Sequence, residues 1–388
     1  MMQKTKEVRK MSELFEINST KKKLVRATQP KPHPITVDKN SRFFIALCKD
    51  ENSSHSFICL GVELSNEQGR FSNKILCGFG KVIKMNKPTE SFIGKLQNII
   101  FYLYSLFTTF PGYLHNEQIF TFDENWQQRK INDEIPASWK AVHMDLSYQA
   151  YSLSYQNYLQ FLAYLQQKQP GLRAYIPDFN SENDNKITLK WNAISAFDTE
   201  SKDINYNSIG KAEDYNKISI NDSCRQSAIH LTRQACQSER VARKVSSFYW
   251  NNLSLKTWLF EGHLGDIYNK LLILPPRPEM YTCMTAKKLA VITKIYNRLE
   301  DMILIKENNE KEQATLKKFE VIRALYEKIT KDEKQDLSSF FQEISACFND
   351  HKEIIKKHRR YDFFGTETST EKMFNELSIM ALESNKPT

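Results

Sequence analysis

Cys224 is the residue of this sequence best placed to do chemistry. It follows Asn221-Asp222-Ser223, three residue types that favour helix starts. It precedes a run in which Ala228, Leu231 and Ala235 recur on one side of a helix. The spacing puts Cys224 in a first helical turn, where free backbone N–H groups and the helix dipole favour a thiolate. Asp222 works the other way, because a carboxylate so near opposes a second negative charge. His55 is the matching base. It stands where the polar turn Lys49 to Ser54 hands over to the apolar run Phe57-Ile58-Cys59-Leu60, which gives an accessible ring on a rigid strand edge. A thiol and an imidazole brought together support amide, isopeptide or ester cleavage, or acyl transfer through a thioester.

Such a pair needs a third group to orient the ring. Glu63 shares the face of His55 along the same strand, but eight residues at about 3.3 Å each put it more than about 25 Å away. Asn73, near the start of the following strand, is the expected partner, ahead of Asp145 and Asp198.

The elements that must position these groups can be read in order. Phe43 to Cys48, His55 to Leu64 and Lys74 to Gly80 are strand-like runs separated by polar turns, which predicts an antiparallel meander. Residues 86–136 read as an insertion, partly helical. Its apolar run Ile99 to Phe110 is twelve residues long and stops at Pro111, too short to span a bilayer. Lys140 to Leu146 is a further strand. Ser154 to Leu165 carries Tyr155, Tyr158 or Leu159, Leu162 and Leu165 on one helical face. Tyr175 to Asp178 and Ile187 to Trp191 add strand pieces before a polar loop delivers the chain to the cysteine helix. From Thr285 to about Glu383 there is almost no Gly or Pro, and apolar residues recur at helical spacing, which predicts three or four helices.

Composition narrows the function classes. The 388 residues carry a formal charge of +9, and residues 1–31 hold nine Lys or Arg against three Glu. That tail reads as a solvated basic leader. No zinc spacing, aromatic interleaving or nucleic-acid motif accompanies it, so no nucleic-acid partner is expected. The seven cysteines are scattered without a C-x-x-C pair, which argues against a disulfide framework or a zinc site and for a reducing compartment. No cofactor or metal is expected.

The order of these features resembles the circularly permuted papain-like cysteine hydrolases of the NlpC type, over about residues 36–278. There the histidine precedes the cysteine, and the cysteine opens a helix after an asparagine. Ser54-His55-Ser56-Phe57-Ile58 is similar to the family's histidine strand, and Asn221-Asp222-Ser223-Cys224 to its nucleophile, with Asn221 three residues ahead rather than adjacent. The resemblance implies an α+β fold, a permuted papain-like antiparallel sheet with packed helices, followed by an α-helical C-terminal domain at 285–388. It implies Cys224 as nucleophile and His55 as base toward a protein or peptide substrate. The Lys-, Asn- and Ile-rich style and the Glu-containing end, Glu367 to Glu383, resemble effectors that bacteria such as Legionella deliver into host cells. That resemblance implies a secreted protein acting in host cytoplasm, with a host protein as partner. Two other readings stay open: a non-catalytic adaptor that binds a host protein through its C-terminal helices, and lipid-directed acyl chemistry along the 99–110 run, with membrane contact.

Overall fold

Three apolar runs separated by polar turns pair side by side, and the main sheet is built out from them. The computed structural model describes residues 33–51, 55–65, 71–83, 109–117, 143–183, 185–200, 202–219, 222–248, 250–260, 272–304, 310–358 and 366–384. The chain divides into two units, residues 1–271 and 272–388. The basic leader through residue 32 lies outside the described residues, as do Asn221, Trp126 and the apolar run as far as residue 108.

In the first unit the strands are β1 (Ile35–Asp38), β2 (Phe43–Asp50), β3 (Ser56–Ser65), β4 (Phe71–Ile83), β5 (Phe110–Asn116), β6 (His143–Leu153), β7 (Arg173–Asp178), β8 (Lys186–Ala193), β9 (Lys217–Ile218) and β10 (Leu255–Phe260). A small sheet runs β1-β8-β7, and the larger one runs β10-β6-β2-β3-β4-β5-β9. The pairings are antiparallel. β2 is central and buried along all eight residues, which is why Phe43-Phe44-Ile45-Ala46-Leu47-Cys48 reads as a continuous apolar run rather than an alternating one. Full burial of each of its Phe, Ile and Leu side chains contributes about 1.5–3 kcal/mol.

The meander fixes what lies near His55. Phe57 of β3 faces Gly80 of β4, and Gly80 in turn faces His115 of β5. β5 falls inside residues 86–136, so that stretch contributes a strand of the main sheet where an insertion was expected. Its Pro111 sits near the strand's start, opposite Lys217, where the missing N–H is tolerated.

Two helices cover this sheet's elements. α1 (Tyr155–Lys168) starts at Ser154, whose hydroxyl accepts from the Asn157 N–H, and it buries Tyr158, Leu159, Phe161, Leu162 and Leu165. α2 (Cys224–Cys236) packs on β2, β3 and β4. Its buried face carries the Ala228, Leu231 and Ala235 that the spacing predicted.

The second unit holds β11 (Ile273–Leu274), α3 (Ala286–Ile303), α4 (Glu310–Lys331), α5 (Leu337–Asp350), α6 (Lys352–Lys356) and α7 (Ser369–Ser384). Ile292, Ile295 and Leu299 of α3 are buried, with Phe319, Ile322 and Ile329 of α4 and Phe340 and Ile344 of α5. Among the described residues five helices stand where three or four were expected, because His351 closes α5 and at once opens the five-residue α6. Arg277 lies 5.1 Å above the Tyr296 ring and 3.5 Å from Glu300, which ties the chain's entry segment to α3. Among the described residues no helix is long and apolar enough to cross a membrane.

Candidate active site

Cys224 is the first residue of α2, as its capping sequence predicts. Ser223 is the N-cap, in extended conformation at φ −85° and ψ 171°. Its hydroxyl accepts from the Gln226 N–H, and the Gln226 side chain accepts from the Ser223 N–H at 2.7 Å. This capping box fixes the helix start and hence the place of the sulfur. Cys224 is half-buried, while Cys48, Cys59, Cys77 and Cys236 are buried.

The start of β3 brings two groups to that sulfur. The Ser56 N–H donates to Cys224 Sγ at 3.5 Å. The His55 imidazole hydrogen-bonds the same sulfur. The other side of the ring is held from β5: His55 Nε2 lies 2.7 Å from Glu117 Oε1, so Nδ1 is the nitrogen left for the sulfur. Glu117 is itself placed by its N–H, which donates to the Gly78 carbonyl at 2.9 Å. Gly80 makes room for this arrangement. A Cβ there would stand 2.1 Å from Glu117 Oε1 and 2.6 Å from His55 Nε2.

Two of the sequence expectations need correction. Asn73 does not face His55: it pairs with Glu63 at the far end of β3. In an antiparallel hairpin the start of the second strand meets the end of the first, so the end of β4 is what comes near His55. Glu63 pairs instead with Arg42, at 3.5 Å. The carboxylate facing the ring is that of Glu117, which the sequence reading missed because it follows a strand inside the supposed insertion. Asp222 does not oppose the thiolate as an uncompensated charge, since Lys81 Nζ donates to its Oδ1 at 2.7 Å. Of the remaining alternatives, Asp145 has its backbone opposite Trp258 on β6, and Asp198 is exposed in the loop after β8.

Electrostatics follow from these contacts. Burial disfavours the imidazolium of His55, but the Glu117 charge and the hydrogen bonds from Cys224 and Glu117 outweigh it and raise the pKa to about 10. Burial likewise opposes ionisation of Glu117, and the two histidines beside it prevail and hold its carboxyl far below the usual range. For Cys224 burial again acts against the charged form. The hydrogen bond and charge of His55, the Ser56 N–H and the Arg225 charge together carry the thiol below its ordinary value. The site therefore favours a thiolate–imidazolium pair with a carboxylate behind it.

A second layer holds the sulfur's neighbours. Arg225 is fully buried; its Nε donates to Ser56 Oγ at 2.8 Å and its Nη2 to the Asn251 carbonyl at 2.7 Å. Lys81, with no side-chain exposure, donates to Glu213 Oε1 and to the Asp214 carbonyl at 3.2 Å each, besides Asp222. It pins to β4 the loop that leads into α2. His115 also approaches Glu117, with Nε2 3.3 Å from Oε1. No family model, curated protein or solved structure matches this chain.

Proposed function

We propose that the protein is a cysteine-dependent hydrolase or acyltransferase acting on a protein or peptide substrate, with a permuted papain-like first domain and a helical C-terminal domain. Cys224 is the nucleophile, His55 the acid and base, and Glu117 the residue that orients the ring. The observation that carries this reading is the His55 imidazole held between the Cys224 sulfur and the Glu117 carboxylate, with the sulfur at a helix N-terminus. The Cys224 thiolate attacks a carbonyl carbon while N–H groups of the first helical turn face the developing oxyanion. His55 passes its proton to the leaving group and a thioester remains. Water or an acceptor nucleophile then gives a proton to His55 as it attacks, and the sulfur leaves as thiolate.

Phe248 and Trp250 give a hint of what binds nearby. Both are exposed, their rings lie 5.8 Å apart, and Arg225 donates to the Ser246 and Asn251 carbonyls on either side of them. An apolar side chain or segment of the substrate suits such a pair. The test is alkylation by iodoacetamide under chelator, resolved by peptide mass spectrometry. Cys224 should react faster than Cys283 and Cys347, and His55→Ala should slow it by at least tenfold. Equal rates at the three thiols, or no slowing in a folded His55→Ala, would remove the basis of the reading.

A second reading keeps the adaptor. Ile379 and Leu382 of the last helix are exposed at 56% and 68%. On this reading the chain is an effector whose C-terminal helices hold a host protein, and residues 285–388 are needed for a partner found with the full chain. The lipid-directed alternative rests on the run through Phe110, nearly all of it outside the described residues.

A further inference from the structure

The three side chains behind the sulfur raise a separate question, because their lone pairs do not balance. His115 Nδ1 lies 2.8 Å from the Asn116 carbonyl oxygen. A carbonyl only accepts, so Nδ1 is the donor there and Nε2 is the nitrogen left to face Glu117. That Nε2 is buried, has no hydrogen-bond partner, and faces Glu117 Oε1 at 3.3 Å. Either a proton or a metal cation between these two atoms would satisfy both. A backbone carbonyl on the other ring nitrogen is also how proteins fix the tautomer of a metal-binding histidine.

We propose that His55, His115 and Glu117 form a binding site for a divalent transition ion of the zinc class. Their donor atoms all lie within 4.8 Å of one another. The His115–Glu117 separation of 3.3 Å matches the roughly 3.3 Å between ligands of a tetrahedral ion bound at about 2.0–2.1 Å, and the His55–Glu117 separation of 2.7 Å would have to open on binding. Two imidazoles and one carboxylate are a donor set that zinc accepts with a fourth position open, whereas calcium and magnesium prefer all-oxygen shells. The three ligands come from two strand ends joined through Gly80, and the absence of a Cβ at Gly80 leaves the space in which the donors meet.

Binding requires His55 Nε2 to release its proton and turn its lone pair to the ion. The ring's Nδ1 then keeps its proton and cannot take one from the thiol. On the thiol reading above, metal occupancy and catalysis exclude each other, so the ion acts as a reversible inhibitor bound on the side of the ring away from the sulfur. The binding itself does not depend on that reading.

The test uses the full chain, reduced with a phosphine and titrated calorimetrically with zinc. Wild type and Cys224→Ala should each bind one zinc per chain, reversed by chelator, while His115→Ala or His115→Gln that still melts cooperatively should bind at least tenfold more weakly. Cobalt should give a tetrahedral spectrum without a thiolate-to-metal charge-transfer band. Absence of a stoichiometric site, unchanged affinity in both His115 variants, or loss of binding in Cys224→Ala would overturn the proposal. Because Cys224→Ala cannot do thiol chemistry, failure of the metal site and failure of the catalytic reading show up separately.

Discussion

Gly80→Ala is the sharpest test of the geometry, because it adds one methyl and no charge. The new Cβ would lie 2.1 Å from Glu117 Oε1 and 2.6 Å from His55 Nε2, both roughly 1 Å or more inside ordinary contact. One or both groups must move by about that amount. A displacement of about 1 Å in a catalytic group can cost on the order of 10²-fold in rate. Overpacking of this kind costs about 1–3 kcal/mol of stability, which the chain can survive folded. The assay is the rate of Cys224 alkylation at neutral pH, followed by peptide mass spectrometry beside a thermal melt. Gly171→Ala is the control, since a Cβ there meets nothing within 4 Å. The expected result is a folded Gly80→Ala whose Cys224 reacts far more slowly and a Gly171→Ala indistinguishable from wild type. A folded Gly80→Ala that alkylates at the wild-type rate would refute the coupling of His55 and Glu117 to the sulfur.

Further outcomes follow from the same contacts. Glu117→Gln keeps the shape and removes the charge, so Cys224 alkylation at neutral pH should slow by about tenfold for each unit the thiol pKa rises above neutrality, in a chain that is folded but melts lower; an unchanged rate would deny Glu117 its role. Arg225→Met leaves the buried Ser56 Oγ without its donor and frees the Ser246 and Asn251 carbonyls, and urea unfolding should show a loss of about 1–3 kcal/mol. Glu213 is buried beside Asp222, and despite Lys81 and Ser227 its pKa is raised from 4.5 to about 7. The folded chain therefore holds the proton more tightly than the unfolded one, so this contribution to stability is complete below pH 4.5 and is lost as pH rises to about 7. Glu213→Gln should match wild type at pH 4 and exceed it in melting temperature above pH 7, and a difference that does not vary with pH would contradict this.

His55, Cys224 and the elements bearing them were legible because their signals are local. A polar turn before an apolar run marks a strand start, and Asn221-Asp222-Ser223 before a cysteine and a helically spaced apolar face marks a capped helix. The meander and the helical spacing after Thr285 were legible for the same reason. Glu117 was not. Its proximity to His55 depends on β4 pairing with β5 across the long stretch between Ile83 and Phe110, and Pro111-Gly112 masks the strand's own signal. Asn73 was chosen on sequence nearness, which a tight hairpin turns into distance at this end of the sheet. The charge of Asp222 could be read but not its neutralisation, because Lys81 lies 141 residues away.

The dipeptide His55-Ser56 meets the dipeptide Cys224-Arg225 residue for residue: imidazole and backbone N–H on the sulfur, serine hydroxyl on the guanidinium. These partners are 168 and 169 residues apart in the chain. Contacts of such separation close late, after the loop entropy between them has been overcome. Until α2 docks on β3 the thiol lacks both His55 and the Ser56 N–H and reacts as an ordinary cysteine. Reactivity at Cys224 is thus a clock for folding: its appearance in a refolding time course should coincide with burial of Arg225, and a nascent chain carries no active thiol before its residues through Asn251 are in place.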